Sequence, residues 1–294
     1  MTKFSLWLDK PDAKEQAILR ASGDALLEEV GLSIIDDGFA VLDEMVTHDM
    51  LSQIINDYQS FINENPESAQ SHCDKDGRHF RLANFHIYSD SALRMIKADR
   101  VMRVIDYLFG ERGMLYTSLA FEYSTEQRPH RDTPYFFTRP EGLFFGVWFP
   151  LEDVHEASGP LVYFPGSHRI DVDQLSFLDG QDPVDQSVRL AAIARYQQYL
   201  RDESFKNFNL QTVLLKRGQM AIWHPQLVHG GSRQTNPCMT RRSMVFHVSP
   251  ESTPVFKDDV FFGLEPAHHS PYKYAESYGR FHAKRDRPSF MNAR

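Results

Sequence analysis

At 294 residues with a formal net charge of −8, the chain is too long for a disulfide-stapled miniprotein and too acidic for a nucleic-acid coat. Hydrophobic residues make up 41% and charged residues 24%, so a sizeable core can be buried and disorder is not expected. With 13 His against 2 Cys, Cys73 and Cys238 exclude a disulfide framework or a cysteine-rich zinc site. Metal chemistry would have to draw on histidine and carboxylate, which suit redox iron, manganese or catalytic zinc.

Apolar periodicity predicts a helix over 11–30, closed by Gly31, then a short strand over 37–42. Thr47 reads as the N-cap of a second helix whose apolar face is Leu51, Ile54, Ile55, Tyr58, Phe61 and Ile62. A polar loop is expected over 63–76, and two further helices over 91–97 and 101–109. From Leu115 the chain turns to short runs of aromatic and β-branched residues divided by Gly, Pro and Asp, which is a strand signature. Strands are predicted at 115–123, 142–151, 161–164, 212–215, 219–223 and 241–248, interrupted by a helix over 187–200. The tail from His268 onward has little periodicity.

A helical first third feeding a β-rich remainder argues for one α+β, mainly β, domain in which helices buttress a sandwich or barrel. Its parts would be a helical buttress over 1–110, a β core over 115–250 with a helical insertion at 170–209, and an extension over 251–294. Residues 1–9 lack the apolar run of a signal peptide and no window is apolar enough to span a bilayer, so a cytoplasmic protein with neither membrane nor nucleic-acid partners is expected.

His130-Arg131-Asp132 follows a predicted strand, and residues two apart on an extended chain share a side, which would put an imidazole and a carboxylate on one metal. The pair alone is weak, since roughly two His-x-acid pairs are expected by chance in such a composition. The other one, His72-Cys73-Asp74, lies in a polar loop with Lys75 and Asp76 and reads as solvated surface. A third donor, His229, closes a strand-and-turn segment, Trp223-His224-Pro225-Gln226-Leu227-Val228-His229-Gly230-Gly231, whose glycines allow close backbone approach. Two histidines and one carboxylate on one face of an octahedron leave three adjacent positions open, the facial triad of non-haem Fe(II) oxygenases.

After His229 the strand Arg241-Arg242-Ser243-Met244-Val245-Phe246-His247-Val248 places Arg241, Ser243, Val245 and His247 on one face and Arg242 on the other. One of the two arginines should therefore point inward. A buried guanidinium demands a counter-charge, which a cosubstrate carboxylate or a structural acid would supply.

Taken with Gly146-Val147-Trp148, with Gly159-Pro160-Leu161-Val162-Tyr163-Phe164-Pro165-Gly166-Ser167-His168, and with His229-Gly230-Gly231-Ser232 and Arg241, the His130-Arg131-Asp132 segment resembles the phytanoyl-CoA dioxygenase family of Fe(II)/2-oxoglutarate oxygenases. The resemblance runs over roughly 37–250. It implies a double-stranded β-helix, or cupin-like jelly roll, with Fe(II) held by His130, Asp132 and His229, which would be the catalytic centre. It also implies 2-oxoglutarate anchored by an arginine about eleven residues beyond the last histidine. That spacing falls on Thr240, and Arg241 is preferred to Arg242 because it stands six residues before His247. Ser243, Thr133 and Trp148 are further candidate cosubstrate contacts.

The implied reaction uses O2 to hydroxylate a C–H bond of a small molecule, with release of succinate and CO2. The retained Asp132 disfavours halogenation, while desaturation and ring closure stay open. His168 is expected to organise its turn rather than touch iron, and His224 and His247 lack an accompanying carboxylate in sequence. Arg128, Arg131, Arg139 and Arg169 suggest an anionic or polyhydroxylated substrate, and the insertion over 170–209 suggests a lid. Competing readings are a non-catalytic jelly-roll binding protein and a cupin-like metalloenzyme that does not use 2-oxoglutarate.

Overall fold

The computed structural model describes residues 6–74, 76–79, 81–256, 261–263 and 271–291. In chain order the elements are α1 (Ala13–Ala21), α2 (Ala25–Asp37), β1 (Phe39–Leu42), α3 (His48–Glu64), α4 (Pro66–Ser71), β2 (Arg81–Ala83), α5 (Asp90–Ile96), α6 (Asp99–Phe109), β3 (Gly113–Phe121), β4 (Phe145–Pro150) and β5 (Leu161–Tyr163). They continue as α7 (Gln186–Asn207), β6 (Gln211–Val213), β7 (Met220–Trp223), β8 (His229–Gly231), β9 (Ser243–Pro250), β10 (Tyr274–Ser277), β11 (Arg280–Ala283) and β12 (Ser289–Met291).

Several boundaries follow from local chemistry. The single helix expected over 11–30 is divided because Ser22 and Gly23 adopt positive φ, after which the Asp24 carboxylate accepts the Leu26 and Leu27 amides and starts α2. Gly31 is not a stop but an interior position of α2, where the Tyr107 hydroxyl occupies the space a Cβ would take. The stop is Gly38, at φ 74°, whose amide closes onto Ile34. Thr47 caps α3 by accepting the Met50 amide, as expected. The predicted loop at 63–76 contains α4, which Pro66 opens at a helix position that needs no amide donor.

Among the described residues, nine strands form one sheet with the path β1-β7-β4-β9-β3-β11-β10, and β2 pairs with both β3 and β12. A smaller sheet runs β6-β5-β8. Side-chain alternation assigns the large sheet its two faces. Phe145, Val147 and Phe149 of β4, with Met244, Phe246 and Val248 of β9, pack on the helical layer of α2, α3, α5 and α6. Trp148, Ala221, Trp223 and Val245 point the other way, onto Leu161 and Val213 of the small sheet. Two mainly antiparallel sheets facing each other, with helices behind the larger one, make the expected jelly roll. The 251–294 extension is not merely appended, since β11 adds to β3 and β12 to β2. No helix among the described residues is long and apolar enough to cross a membrane.

Candidate functional site

The segment entering His130 is fixed by a reciprocal backbone pair with β8: the His130 amide donates to the His229 carbonyl at 2.9 Å and the His229 amide returns to His130 at 3.1 Å. This pairing alone brings together two histidines about a hundred positions apart in sequence. Gly230 permits it, because a Cβ there would stand 2.6 Å from the Gln127 carbonyl oxygen. The close approach anticipated for these glycines is therefore to another stretch of backbone. Behind the segment, Gln197 of α7 accepts the Arg131 amide and donates to its carbonyl, at 2.9 and 2.8 Å. The buried Arg131 side chain donates to the carbonyls of Gln226, Ser167 and Ile170. Because Arg131 points backward, His130 and Asp132 both point forward.

One donor atom from each of His130, Asp132 and His229 lies within 4.8 Å of the other two, and all three residues are buried. Hydrogen bonding fixes which imidazole atoms face the centre. The Nδ1 of His130 lies 3.0 Å from the Arg128 carbonyl and that of His229 lies 3.1 Å from the Leu227 carbonyl. A carbonyl only accepts, so both Nδ1 atoms carry the proton and both Nε2 lone pairs are available to a metal. His247 has the opposite arrangement. Its Nε2 lies 3.2 Å from Asp132 Oδ2, a carboxylate oxygen that can only accept, so it is a donor to the carboxylate. His247 thus has the carboxylate partner that sequence spacing did not reveal. The Trp223 indole donates to the same Oδ2 at 3.0 Å.

Burial alone would raise the Asp132 pKa, but His229, His130 and His247 together hold it well below the usual carboxylate range. Burial pushes His229 down to about 4, so it is neutral near pH 7. A charged Asp132 and a neutral His229 are the forms in which these two groups bind a cation.

The centre closes one end of a cavity of about 750 Å3 that Trp148, Val245, His247 and Arg241 also line. Arg241 lies just before β9, 6% exposed, with its guanidinium carbon 5.7 Å from the centre of the Trp148 ring. Its Nη1 donates to the Gly159 carbonyl at 3.0 Å, and its buried Nε has no partner. Burial pushes its pKa down to about 10. Arg242 points to the opposite side and pairs with Glu122 and Glu152.

Two other candidate contacts stand apart from the cavity wall. Thr133 is buried with its hydroxyl directed at the Pro225 carbonyl, and Ser243 is buried within the start of β9 without a hydrogen-bond partner. His168 directs Nε2 at the Ile35 carbonyl at 3.3 Å and packs on Gly38, organising the turn as expected. His224 accepts the Gln226 amide on Nδ1 and faces Asp9 with Nε2, away from the triad.

Of the four arginines singled out for a substrate, only Arg128 lines the cavity. Arg131 is locked on backbone carbonyls, and Arg169 caps Ile35 and Asp36 at the end of α2. The insertion over 170–209 also contributes nothing to the cavity wall. Its helix α7 buries Ala192, Ile193, Tyr196 and Leu200 behind the His130 segment, so it is a brace and not a lid. Arg81, Tyr272, Arg285 and Met291, which sequence reasoning passed over, do reach the wall.

The chain is 27% identical over 150 residues to phytanoyl-CoA dioxygenase domain-containing protein 1 of Bos taurus, covering 51% of this chain and 47% of that protein. The Danio rerio protein of the same name is 27% identical over 134 residues, 46% of this chain and 43% of that protein. The chain thus spans about half the length of the curated relatives it matches. Among solved structures, the non-heme alpha ketoglutarate dependent carbocyclase SnoK superposes with a TM-score of 0.64 at 13% identity, over 87% of this chain and 96% of that one. The epimerase SnoN, solved with Fe3+, alpha ketoglutarate and nogalamycin RO, superposes with a TM-score of 0.60 at 18% identity, over 93% and 99%. At such identities these two establish the jelly-roll fold. The model of the phytanoyl-CoA dioxygenase (PhyH) family matches residues 35–243, well over half of the sequence, and the chain belongs to that family.

Proposed function

We propose that the protein is an Fe(II)- and 2-oxoglutarate-dependent dioxygenase that hydroxylates a C–H bond of a small molecule, releasing succinate and CO2. The observation that carries this reading is the pairing of two unlike features at one end of one cavity. One is a buried donor set of two imidazole Nε2 atoms and a carboxylate, which suits Fe(II) with open positions. The other is the buried Arg241 guanidinium, which has no ion-pair partner among the described residues. A buried charge without compensation is costly, and a dicarboxylate that reaches from the metal to Arg241 satisfies both ends.

His130, Asp132 and His229 would hold the iron, and Arg241, resting on Trp148, would bind the distal carboxylate of the cosubstrate. Iron, 2-oxoglutarate and O2 bound there supply the oxidising power that no side chain has, coupling decarboxylation of the cosubstrate to oxidation of the substrate. The chain's own residues supply position and shelter. Trp223 and His247 orient Asp132, the Arg128 and Leu227 carbonyls fix the histidine tautomers, and the apolar walls of Leu161 and Val245 keep the centre dry. The two unpaired cysteines suit a reducing, cytoplasmic location.

Anaerobic addition of Fe(II) and then 2-oxoglutarate should give the visible charge-transfer absorption of the chelate. Its absence from folded protein would rule the reading out, and with it would favour a binding protein or a cupin-like enzyme. Arg241→Met should weaken 2-oxoglutarate binding by about 10–100-fold, as expected for loss of a buried charge-assisted contact. An unchanged affinity would mean the anchor lies elsewhere.

A further inference from the structure

The cavity is lined by more than the triad and Arg241. At about 750 Å3 it lies in the range that accommodates a drug-sized organic molecule. Tyr116, Phe136, Phe137 and Phe256 make much of its wall aromatic. Four arginines line the cavity (Arg81, Arg128, Arg241 and Arg285) against two carboxylates, Asp132 and Glu126. Asp132 is enclosed by its histidines and Trp223, and Glu126 accepts the Gln234 amide. For a chain of net charge −8, this is a local reversal of sign, and a walled cavity focuses such a field.

Arg285 is stacked against two aromatic rings. Its guanidinium carbon lies 3.7 Å from the centre of the Tyr272 ring and 5.1 Å from that of Tyr116. Its Nε and Nη2 donate to the Tyr116 carbonyl at 3.3 and 3.1 Å, which leaves Nη1 without a partner among the described residues. A stacked, oriented guanidinium with a spare edge is suited to a carboxylate or phosphate. Tyr272, Arg285 and Met291 all come from the C-terminal segment, beyond the 35–243 family match. The C-terminal segment thus joins residues of the matched region in lining the cavity.

We infer that the substrate is an organic anion, carrying a carboxylate or phosphate head on an aromatic or other apolar body, with the head held by Arg285 and assisted by Arg128. The inference rests on the dioxygenase reading above, in which 2-oxoglutarate occupies Arg241 and leaves the rest of the cavity to the substrate.

The test is binding of two matched pairs, 4-phenylbutyrate with 4-phenylbutyramide and benzyl phosphate with benzyl alcohol. It uses protein saturated with 2-oxoglutarate, with Fe(II) under anaerobic conditions and again without metal. At least one anion should bind about tenfold more tightly than its neutral partner, as one charge-assisted contact predicts, and which pair shows it identifies the head. In Arg285→Gln the preference should fall to near unity. Equal binding within both pairs, or a preference that survives Arg285→Gln, overturns the inference. If Arg285→Gln does not fold, the exposed Arg128→Gln carries the test, and an undiminished preference there overturns it. A missing chelate band counts against the dioxygenase reading alone, because the metal-free measurement still decides the anion preference.

Discussion

At the scale of single residues, the neighbours of Asp132 engage one of its two oxygens and leave the other to face the candidate centre. Trp223 Nε1 and His247 Nε2 both donate to Oδ2, while Oδ1 lies 3.3 Å from His130 Nε2, on the side of the open centre. His229, His130 and His247 hold the carboxylate charged in spite of its burial. Trp223→Phe removes one of the two donors to Oδ2 while keeping most of the aromatic volume. A buried carboxylate oxygen that loses a partner costs roughly 1–3 kcal/mol of stability. Freed to rotate, Asp132 should also bind metal about 10–100-fold more weakly, the usual consequence of losing an outer hydrogen bond to a ligand. A Co(II) titration followed by absorbance measures this directly, and unchanged affinity would reduce the indole to packing. None of this could be read from spacing, because Trp223 and His247 meet Asp132 only once β7 and β9 flank β4. Gly146 belongs to the same arrangement: the Trp223 indole lies where its Cβ would be, a requirement invisible until the strands are paired.

At the scale of elements, most core strands and helices were legible because each carries one period and one stop. The misreadings share a cause, namely contacts made at long range. Gly31 resembled a helix terminator but is a contact with α6, and 170–209 resembled a lid but is gripped from below by Arg131. The C-terminal hairpin β10–β11 left no pattern because it is held by groups remote in sequence, among them Asp106, which pairs with Arg280, and the buried Lys97. Lys97, 4% exposed, donates to the Ser277 and Arg280 carbonyls at 3.1 and 2.8 Å and to the Ser277 hydroxyl at 2.8 Å, and burial pushes its pKa down to about 8. Lys97→Met leaves these acceptors without a donor, at roughly 1–3 kcal/mol for each one kept from water. Amide hydrogen exchange should accelerate across 274–283 while β4 and β9 keep their protection. Equal exchange in both proteins would show that Lys97 is not what holds the hairpin.

At the scale of the whole molecule, the convergence of the three candidate metal donors was legible and the rest of the cavity wall was not. His130, Asp132 and His229 sit in short motifs whose backbone pairing follows from the chain itself, whereas Arg81, Arg285 and Tyr272 converge from remote segments with no shared spacing. The thirteen histidines have a further consequence, since several are kept neutral by the fold. Burial is the leading cause in each case, pushing His86 to about 3, His168 to about 2 and His229 to about 4, against an ordinary value near 6.5. Below pH 6.5 the unfolded chain binds protons at these positions while the native state does not. Their contribution to stability is therefore complete above that pH and is lost as pH falls toward 4. Each such histidine contributes roughly 1.4 kcal/mol per pH unit, so together the three remove on the order of 8 kcal/mol over two units, comparable with the whole stability of a typical domain. Metal-free protein should accordingly unfold cooperatively before pH 4, with a thermal midpoint that already declines between pH 6.5 and 5. His86→Gln should flatten that decline by about one proton's worth, because its ring is buried on Ser118 and is not one of the three candidate metal donors. A midpoint that holds steady from pH 7 to 5 would show that these rings gain protons in the native state without cost, and that burial does not keep them neutral.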